Sequence, residues 1–189
     1  MIAGPGPAMI QVMEMEPAIA LRRRAPLAVV DDERRFEAIY REHAGAVTAY
    51  ARRRLPGRAD DVVAETFLVA WRRFDDVPAD ALPWLYGVAR RVVADLRRSS
   101  RRQSAVTDRL AVEPRGEAHV VPDVDPELLA ALGRIPERDR ELLLLVYWED
   151  LEPRRAARAL GCSRATVATR LWRAHRRLKT ELEHGEVGA

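Results

Sequence analysis

The chain has 189 residues, of which 48% are hydrophobic and 6% aromatic, with a formal net charge of +3. That length holds one ordinary domain or two small ones. A single cysteine, Cys162, excludes a disulfide framework or a cysteine-based zinc site within the chain and points to a reducing cytoplasm. No apolar stretch reaches the roughly 18 residues of a membrane helix, and Met1 to Val30 lacks the basic-then-apolar pattern of a secretory signal.

Ala, Leu, Arg and Glu dominate, and no alternating Val/Ile/Thr stretch supports a strand, so the expected class is all-α. Lys179 is the only lysine. Arginine suits bidentate contacts to phosphates and bases, but a GC-rich genome produces the same bias. The information therefore lies in where the arginines cluster.

In chain order, residues 1–30 carry Pro5, Pro7, Pro17 and Pro26 with no sustained period and read as a flexible extension. A first helix follows, capped by Asp31 or Asp32, with Phe36, Ile39, Tyr40, Val47, Tyr50 and Ala51 at helical spacing up to Arg54. Pro56-Gly57 ends it. A second helix spans Asp60 to Phe74, with Val63, Phe67, Ala70 and Trp71 on its apolar face and Asp60, Asp61 and Glu65 opposite. A third starts near Pro83, buries Leu85, Val88, Ala89, Val92 and Leu96, and ends in Arg97, Arg98, Arg101 and Arg102. Residues 104–124 lose the period, hold Pro114, Gly116 and Pro122, and read as a flexible linker. Its 21 residues could reach about 70 Å if fully extended. A second helical block then opens at Asp125-Pro126. A helix from about Glu137 carries the apolar run Leu142 to Val146, a short helix spans Pro153 to Leu160, and Ser163 caps a last helix to about Glu183. The expected architecture is two small helical domains, 31–103 and 125–183, joined by the linker and followed by a tail at 184–189.

The segment from Arg154 to Leu171 has the mechanics of a helix-turn-helix. Ala156 and Ala157 permit close helix approach, Leu160 fills the junction and Gly161 permits the tight turn. Val167, Leu171, Ala174, Leu178 and Leu182 hold the last helix on the core. Arg164, Ala165, Ala168, Thr169 and Arg173 then face outward, where such a helix meets base edges in the major groove. Nine basic residues and no acidic one lie between Arg154 and Thr180. A merely solvated face usually mixes signs; this one has the footprint that phosphate contacts need.

The third helix is also basic, with Arg90, Arg91, Arg97 and Arg98 beside Trp84 and Tyr86. Arginines next to aromatics suit single-stranded DNA, where bases stack and phosphates are neutralised. The Asp60/Asp61/Glu65 face would be repelled by DNA and is expected to meet a protein.

These stretches together resemble a bacterial RNA polymerase sigma factor of the extracytoplasmic-function group. Phe36 to His43 resembles the family's opening helix, Asp60 to Trp71 its core-polymerase-binding helix, Pro83 to Arg98 the segment that melts and reads the −10 element, and Ile135 to Leu178 the domain that reads the −35 element. The resemblance covers about Asp31 to Glu183. It implies that Asp61, Val62, Glu65 and Thr66 contact core polymerase. It places Trp84, Tyr86, Arg90, Arg91, Arg97 and Arg98 at the melted −10 strand. Arg155, Arg164, Ala165, Thr166, Ala168, Thr169, Arg170, Arg173 and Arg176 would lie at the duplex −35 element. The implied partners are core RNA polymerase and promoter DNA. Many members of the group are held by an anti-sigma protein, which makes one a further candidate, although no residue identifies it. The chain departs from the family at Arg91, where Asn is common, and at Pro153, Arg155, Ala156 and Ala168, so no promoter sequence carries over.

An ordinary helix-turn-helix repressor would explain the C-terminal block but leaves the acidic helix and the second basic helix without a task. An enzyme is disfavoured. His43, His119, His175 and His184 are scattered without metal-ligand spacing, and there is no Gly-rich phosphate loop. No catalytic residue, cofactor or metal is expected.

Overall fold

The computed structural model describes residues 26–107 and 125–186. Among them lie seven α-helices and no strand. Helix α1 (Pro26–Arg54) begins earlier than expected, with a proline in the first helical position, where its missing N–H costs nothing. Asp31 and Asp32 therefore lie inside the helix and do not cap it. Three arginines, Arg52 to Arg54, occupy its last turn, where cations complement the helix dipole. Pro56 and Gly57 break the chain into a single 3-10 turn.

Helix α2 (Ala59–Arg72) opens with Asp60 and Asp61 in the first turn, favourable for the same electrostatic reason. Its buried face differs from the expected one. Val62, Thr66, Phe67 and Ala70 are buried, whereas Trp71 is 43% exposed. The face is rotated by about one residue because α1 lies along it: Phe36 and Tyr40 of α1 meet Phe67 edge-on at centroid distances of 6.4 and 4.7 Å. Helix α3 (Ala81–Thr107) runs four residues into the expected linker. The remainder of that linker, 108–124, the extension 1–25 and the tail 187–189 lie outside the described residues.

The second block starts as its sequence dictates. The Asp125 carboxylate accepts from the Glu127 backbone N–H at 2.9 Å and caps α4 (Pro126–Arg134). Helix α5 (Glu137–Tyr147) buries Leu142 to Leu145 consecutively, which requires packing on more than one side. Helices α6 (Pro153–Leu160) and α7 (Arg164–Glu186) form the helix-turn-helix. Gly161 between them sits at φ +64°, the left-handed region that glycine enters without steric cost. Ser163 Oγ accepts from the Thr166 N–H at 3.1 Å and starts α7. Leu132, Ile135, Leu143 and Ala174 make a small core proper to this block.

The two blocks are packed on each other. One continuous core takes Val47, Tyr50, Leu85 and Ala89 from the first and Leu142, Leu145, Leu151, Ala156 and Ala159 from the second. Helices α3 and α6 come so close that a Cβ on Gly87 would lie 2.9 Å from the Ala159 carbonyl oxygen. Glycine inside a helix costs about 1 kcal/mol relative to alanine; here it permits that approach.

Candidate functional surfaces

Three surfaces answer to the residues singled out in the sequence. The first is the outer face of α7. Arg164, Ala165, Thr166, Ala168, Thr169, Arg173 and Arg176 are all exposed, while Val167 and Ala174 anchor the helix with no exposure. Arg176 lies over the Trp172 ring, 4.9 Å from its centroid. Two expected members are less free. Arg170 donates to the Arg138 carbonyl at 2.8 Å, and Arg155, on α6, is bound to Asp80 of the first block at 2.6 and 3.2 Å.

The second is the exposed stripe of α2. Asp61, Ala64, Glu65, Leu68 and Trp71 follow helical spacing and face solvent, with Leu68 40% exposed. Val62 and Thr66 do not belong to it, contrary to expectation. Both are fully buried, and the Thr66 hydroxyl is turned inward to donate to the Val62 carbonyl at 2.6 Å. Side chains held in the core cannot contact a partner without local unfolding. The stripe thus pairs two carboxylates with three apolar side chains, Ala64, Leu68 and Trp71. The register of α2 against α1, which alternating charge alone does not fix, decides this.

The third is α3, which is largely covered. Of the six expected residues only Arg91 and Arg98 are exposed, the latter paired with Asp95. Trp84 is half-buried against the core. Tyr86 is buried, stacked on Tyr50 at 5.1 Å, its hydroxyl donating to Glu149 at 3.4 Å. Arg97 is held between Glu137 (2.8 Å) and the Arg54 carbonyl (2.6 Å). Arg90 is half-buried, and its Nε has no hydrogen-bond partner among the described residues.

A polar cluster covers this helix. Arg54 donates to Glu141 and to Glu149, each at 2.8 Å, and its guanidinium lies 3.6 Å from the centroid of the Tyr50 ring. Arg53 also pairs with Glu149, and the Tyr50 hydroxyl donates to Glu141 at 2.9 Å. Burial, then the neighbouring Glu141 carboxylate, push the Tyr50 phenol well above its ordinary value, and burial and Glu149 do the same to Tyr86. Burial disfavours the Arg54 charge, but Glu141, Tyr50 and Glu149 outweigh it and hold its pKa above the usual one. Sequence reasoning missed this cluster. Arg52 to Arg54 read only as a helix end, and no local pattern links them to carboxylates about ninety residues away.

Beside the cluster, a cleft of about 430 Å³ lies between Arg90 of α3 and Arg138, Arg170, Arg173 and Arg177 of α5 and α7. Asp139, buried in its wall, pairs with Arg177. Among the described residues no helix is long and apolar enough to cross a membrane.

Both blocks are similar to known proteins. Residues 39–103 match the family model Sigma-70 region 2, and residues 126–178 match Sigma-70, region 4. The chain is 35% identical over 158 residues to the ECF RNA polymerase sigma factor SigL of Mycobacterium tuberculosis, spanning 78% of this chain and 89% of that protein. It is 29% identical over 181 residues to the RNA polymerase sigma factor NccH of Alcaligenes xylosoxydans xylosoxydans, spanning 89% and 96%. Its fold is similar to the sigma factor RpoE from Bartonella quintana, solved with the anti-sigma factor NepR (TM-score 0.60, 23% identity, 78% of this chain and 96% of that one). It is also similar to CnrH, solved with the cytosolic domain of CnrY (TM-score 0.56, 25% identity, 80% and 90%). The chain belongs to the extracytoplasmic-function (ECF) group of RNA polymerase sigma factors. As such it recognises promoters for transcription initiation, with core RNA polymerase and promoter DNA as the partners of its two regions.

Proposed function

We propose that this sigma factor grips core polymerase with the α2 stripe Asp61, Ala64, Glu65, Leu68 and Trp71, and reads its promoter at two points. Helix α7 enters the major groove of the duplex −35 element with Arg164, Thr166, Ala168, Thr169 and Arg173 toward base edges, and Arg155, Arg170 and Arg176 toward phosphates. Helix α3, with Trp84, Tyr86, Arg90, Arg91, Arg97 and Arg98, takes the melted −10 strand by stacking and phosphate neutralisation. The region 2 unit is 26–107 and the region 4 unit 125–186. The observation that carries this reading is the outer face of α7. It presents arginines beside small, non-obstructing side chains at the N-terminal end of a helix whose start is fixed by Gly161 and Ser163.

The chain is a non-catalytic subunit in this reading, bond formation belonging to the polymerase, and it works in the cytoplasm with that enzyme. An anti-sigma protein is a further partner, since a sigma factor of similar fold, RpoE, has been solved with one bound. The test combines the full-length chain with core polymerase, in a pull-down and then in transcription from a library of genomic fragments. Specific initiation is expected only with both components. A chain without affinity for core polymerase overturns the assignment.

A further inference from the structure

The contacts between the two blocks are chemically specific. On one side, region 2 presents a basic and aromatic surface made of Tyr50, Arg53, Arg54 and Tyr86. Region 4 meets it with Glu141 of α5 and Glu149 of the following turn. The Glu149 side chain is 2% exposed and that of Arg54 3%, so the pair is sealed from water. At another edge the charges are reversed: Asp80 of region 2 holds Arg155 and Arg158 of α6. Arg97 reaches across to Glu137. Between these polar contacts Gly87 and Ala159 bring the two backbones together.

The consequence for the DNA-facing residues is mutual. Tyr86 and Arg97, assigned above to the −10 strand, are occupied by region 4 carboxylates, and Arg155, assigned to the −35 phosphates, is occupied by a region 2 carboxylate. In each contact a carboxylate sits where a DNA phosphate would bring the same charge to the same donor. Arg53 and Arg54 extend this surface. Once uncovered, they would add two arginines beside the Tyr50/Tyr86 stack, the combination suited to a single strand.

We propose that the Glu141/Glu149 edge of region 4 is a built-in occupant of the region 2 DNA surface, so that the free chain is closed and each region masks the other. The inference rests on the DNA-site reading given above for what is masked, but not for the closure itself. Promoter binding requires the two regions to part, and Arg53 and Arg54 then join the strand-binding surface.

The experiment uses the full-length chain with Cys162→Ser and spin labels on Arg72→Cys and Lys179→Cys, both exposed and on opposite regions. Pulsed electron resonance reads the distance between them. The free chain is expected to give one narrow distance distribution. Glu141→Gln with Glu149→Gln, which removes the charges at constant shape, is expected to shift at least half of the molecules to a broad, longer distribution. Asp80→Asn, at the other edge and away from Arg54, is expected to shift it in the same direction, which guards against a misfolded double variant. The opened variants should bind a fluorescent single-stranded oligonucleotide about tenfold more tightly than the unsubstituted chain.

A free chain already broad before substitution overturns the closure, and distances unmoved by both sets of substitutions overturn the latch. Opening without any gain in oligonucleotide binding overturns the masking. Failure of the sigma reading registers separately, as loss of core-polymerase affinity, and leaves the distances untouched.

Discussion

Replacing Gly87 by alanine sets two effects of known sign against each other. Within α3 the change is favourable, because alanine loses less backbone entropy on entering a helix, by about 1 kcal/mol. Against α6 it is unfavourable. The new methyl would sit 2.9 Å from the Ala159 carbonyl oxygen and 3.6 Å from its Cα and carbonyl carbon, whereas ordinary contact begins near 3.4 Å. The obstacle is backbone, so no side-chain rotation relieves it. The helices must separate by about half an ångström, and overpacking of this kind costs about 1–3 kcal/mol. The strain falls only on the closed arrangement, because in an open chain Gly87 meets no α6. Closure should therefore weaken by about 1–3 kcal/mol, about five- to 150-fold in the closed-to-open ratio, while the helicity of α3 holds or rises. Far-ultraviolet circular dichroism and the interdomain distance measurement together read both effects. If Gly87→Ala leaves the distance narrow and the thermal transition unchanged, the close approach of α3 and α6 is not a feature of the free chain.

Charge reversal at Asp61 and Glu65 should weaken core-polymerase binding at least tenfold with only a small fall in melting temperature, since both are exposed and only the first-turn charge of Asp61 and its pair with Arg58 are lost. Val62→Ala and Thr66→Ala should do the opposite. These are core positions, so the change in melting temperature comes first, with a cost of about 1–2 kcal/mol for the valine methyls. A binding assay beside a thermal melt separates the two. Arg164→Ala and Arg173→Ala should each reduce initiation at a −35-dependent promoter by about five- to 150-fold, the worth of one good base contact, and leave core binding intact; equal loss of both would count against the assignment. For pH, the relevant groups are Tyr50 and Tyr86, whose phenols are pushed up by burial and by carboxylates. Both are neutral when protonated, so their contribution to the closed state is complete below about pH 10 and is lost as pH rises through the elevated values. In absorbance at 295 nm, two tyrosines should ionise late, and earlier in Glu141→Gln with Glu149→Gln; a titration identical in the two proteins would contradict the cluster.

Much of the fold was legible because it rests on local signals. Asp125-Pro126, Pro153, Gly161 and Ser163 mark helix ends by chemistry within four residues, and the structure places the ends of α4, α6 and α7 accordingly. The outward face of α7 followed from the same periodicity. What failed depends on a second helix. The face of α2 turned by about one residue because its partner is α1, so Val62 and Thr66 went inward, while Trp71 packs edge-on against Phe36 at 5.1 Å at the rim of the core and stays partly exposed. Asp31 read as a cap because Pro26, the one signal of an earlier start, stands among the other prolines of a stretch without sustained period. The packing of region 2 on region 4 was not legible at all. The linker length permits wide separation as readily as contact, and the pairing of Arg54 with Glu149 has no sequence period.

The composition of that junction bears on whether it can open. A large apolar interface would hold the regions shut, because opening would expose it all to water. Here the contact on α6 itself is made by the small residues Ala156, Ala157 and Ala159, but Leu142, Leu145 and Leu151 are buried in one core with Val47 and Leu85, so opening exposes apolar area, and the ion pairs add specificity to that contact. Buried ion pairs contribute little net stability, since desolvation offsets their attraction, but they discriminate strongly among arrangements. Arg54 even keeps one buried nitrogen, Nη2, without a partner among the described residues, and Arg90 keeps its Nε so. Both would recover hydrogen bonds on opening, to water or to phosphate. The closed arrangement is thus specific through its ion pairs and held by the apolar core the two regions share. An incoming surface that offers the same arginines a phosphate, and α2 a firm partner, parts the regions only if its preference for the open chain exceeds the loss of the ion pairs and of the shared apolar contacts, which favours core polymerase and DNA acting together.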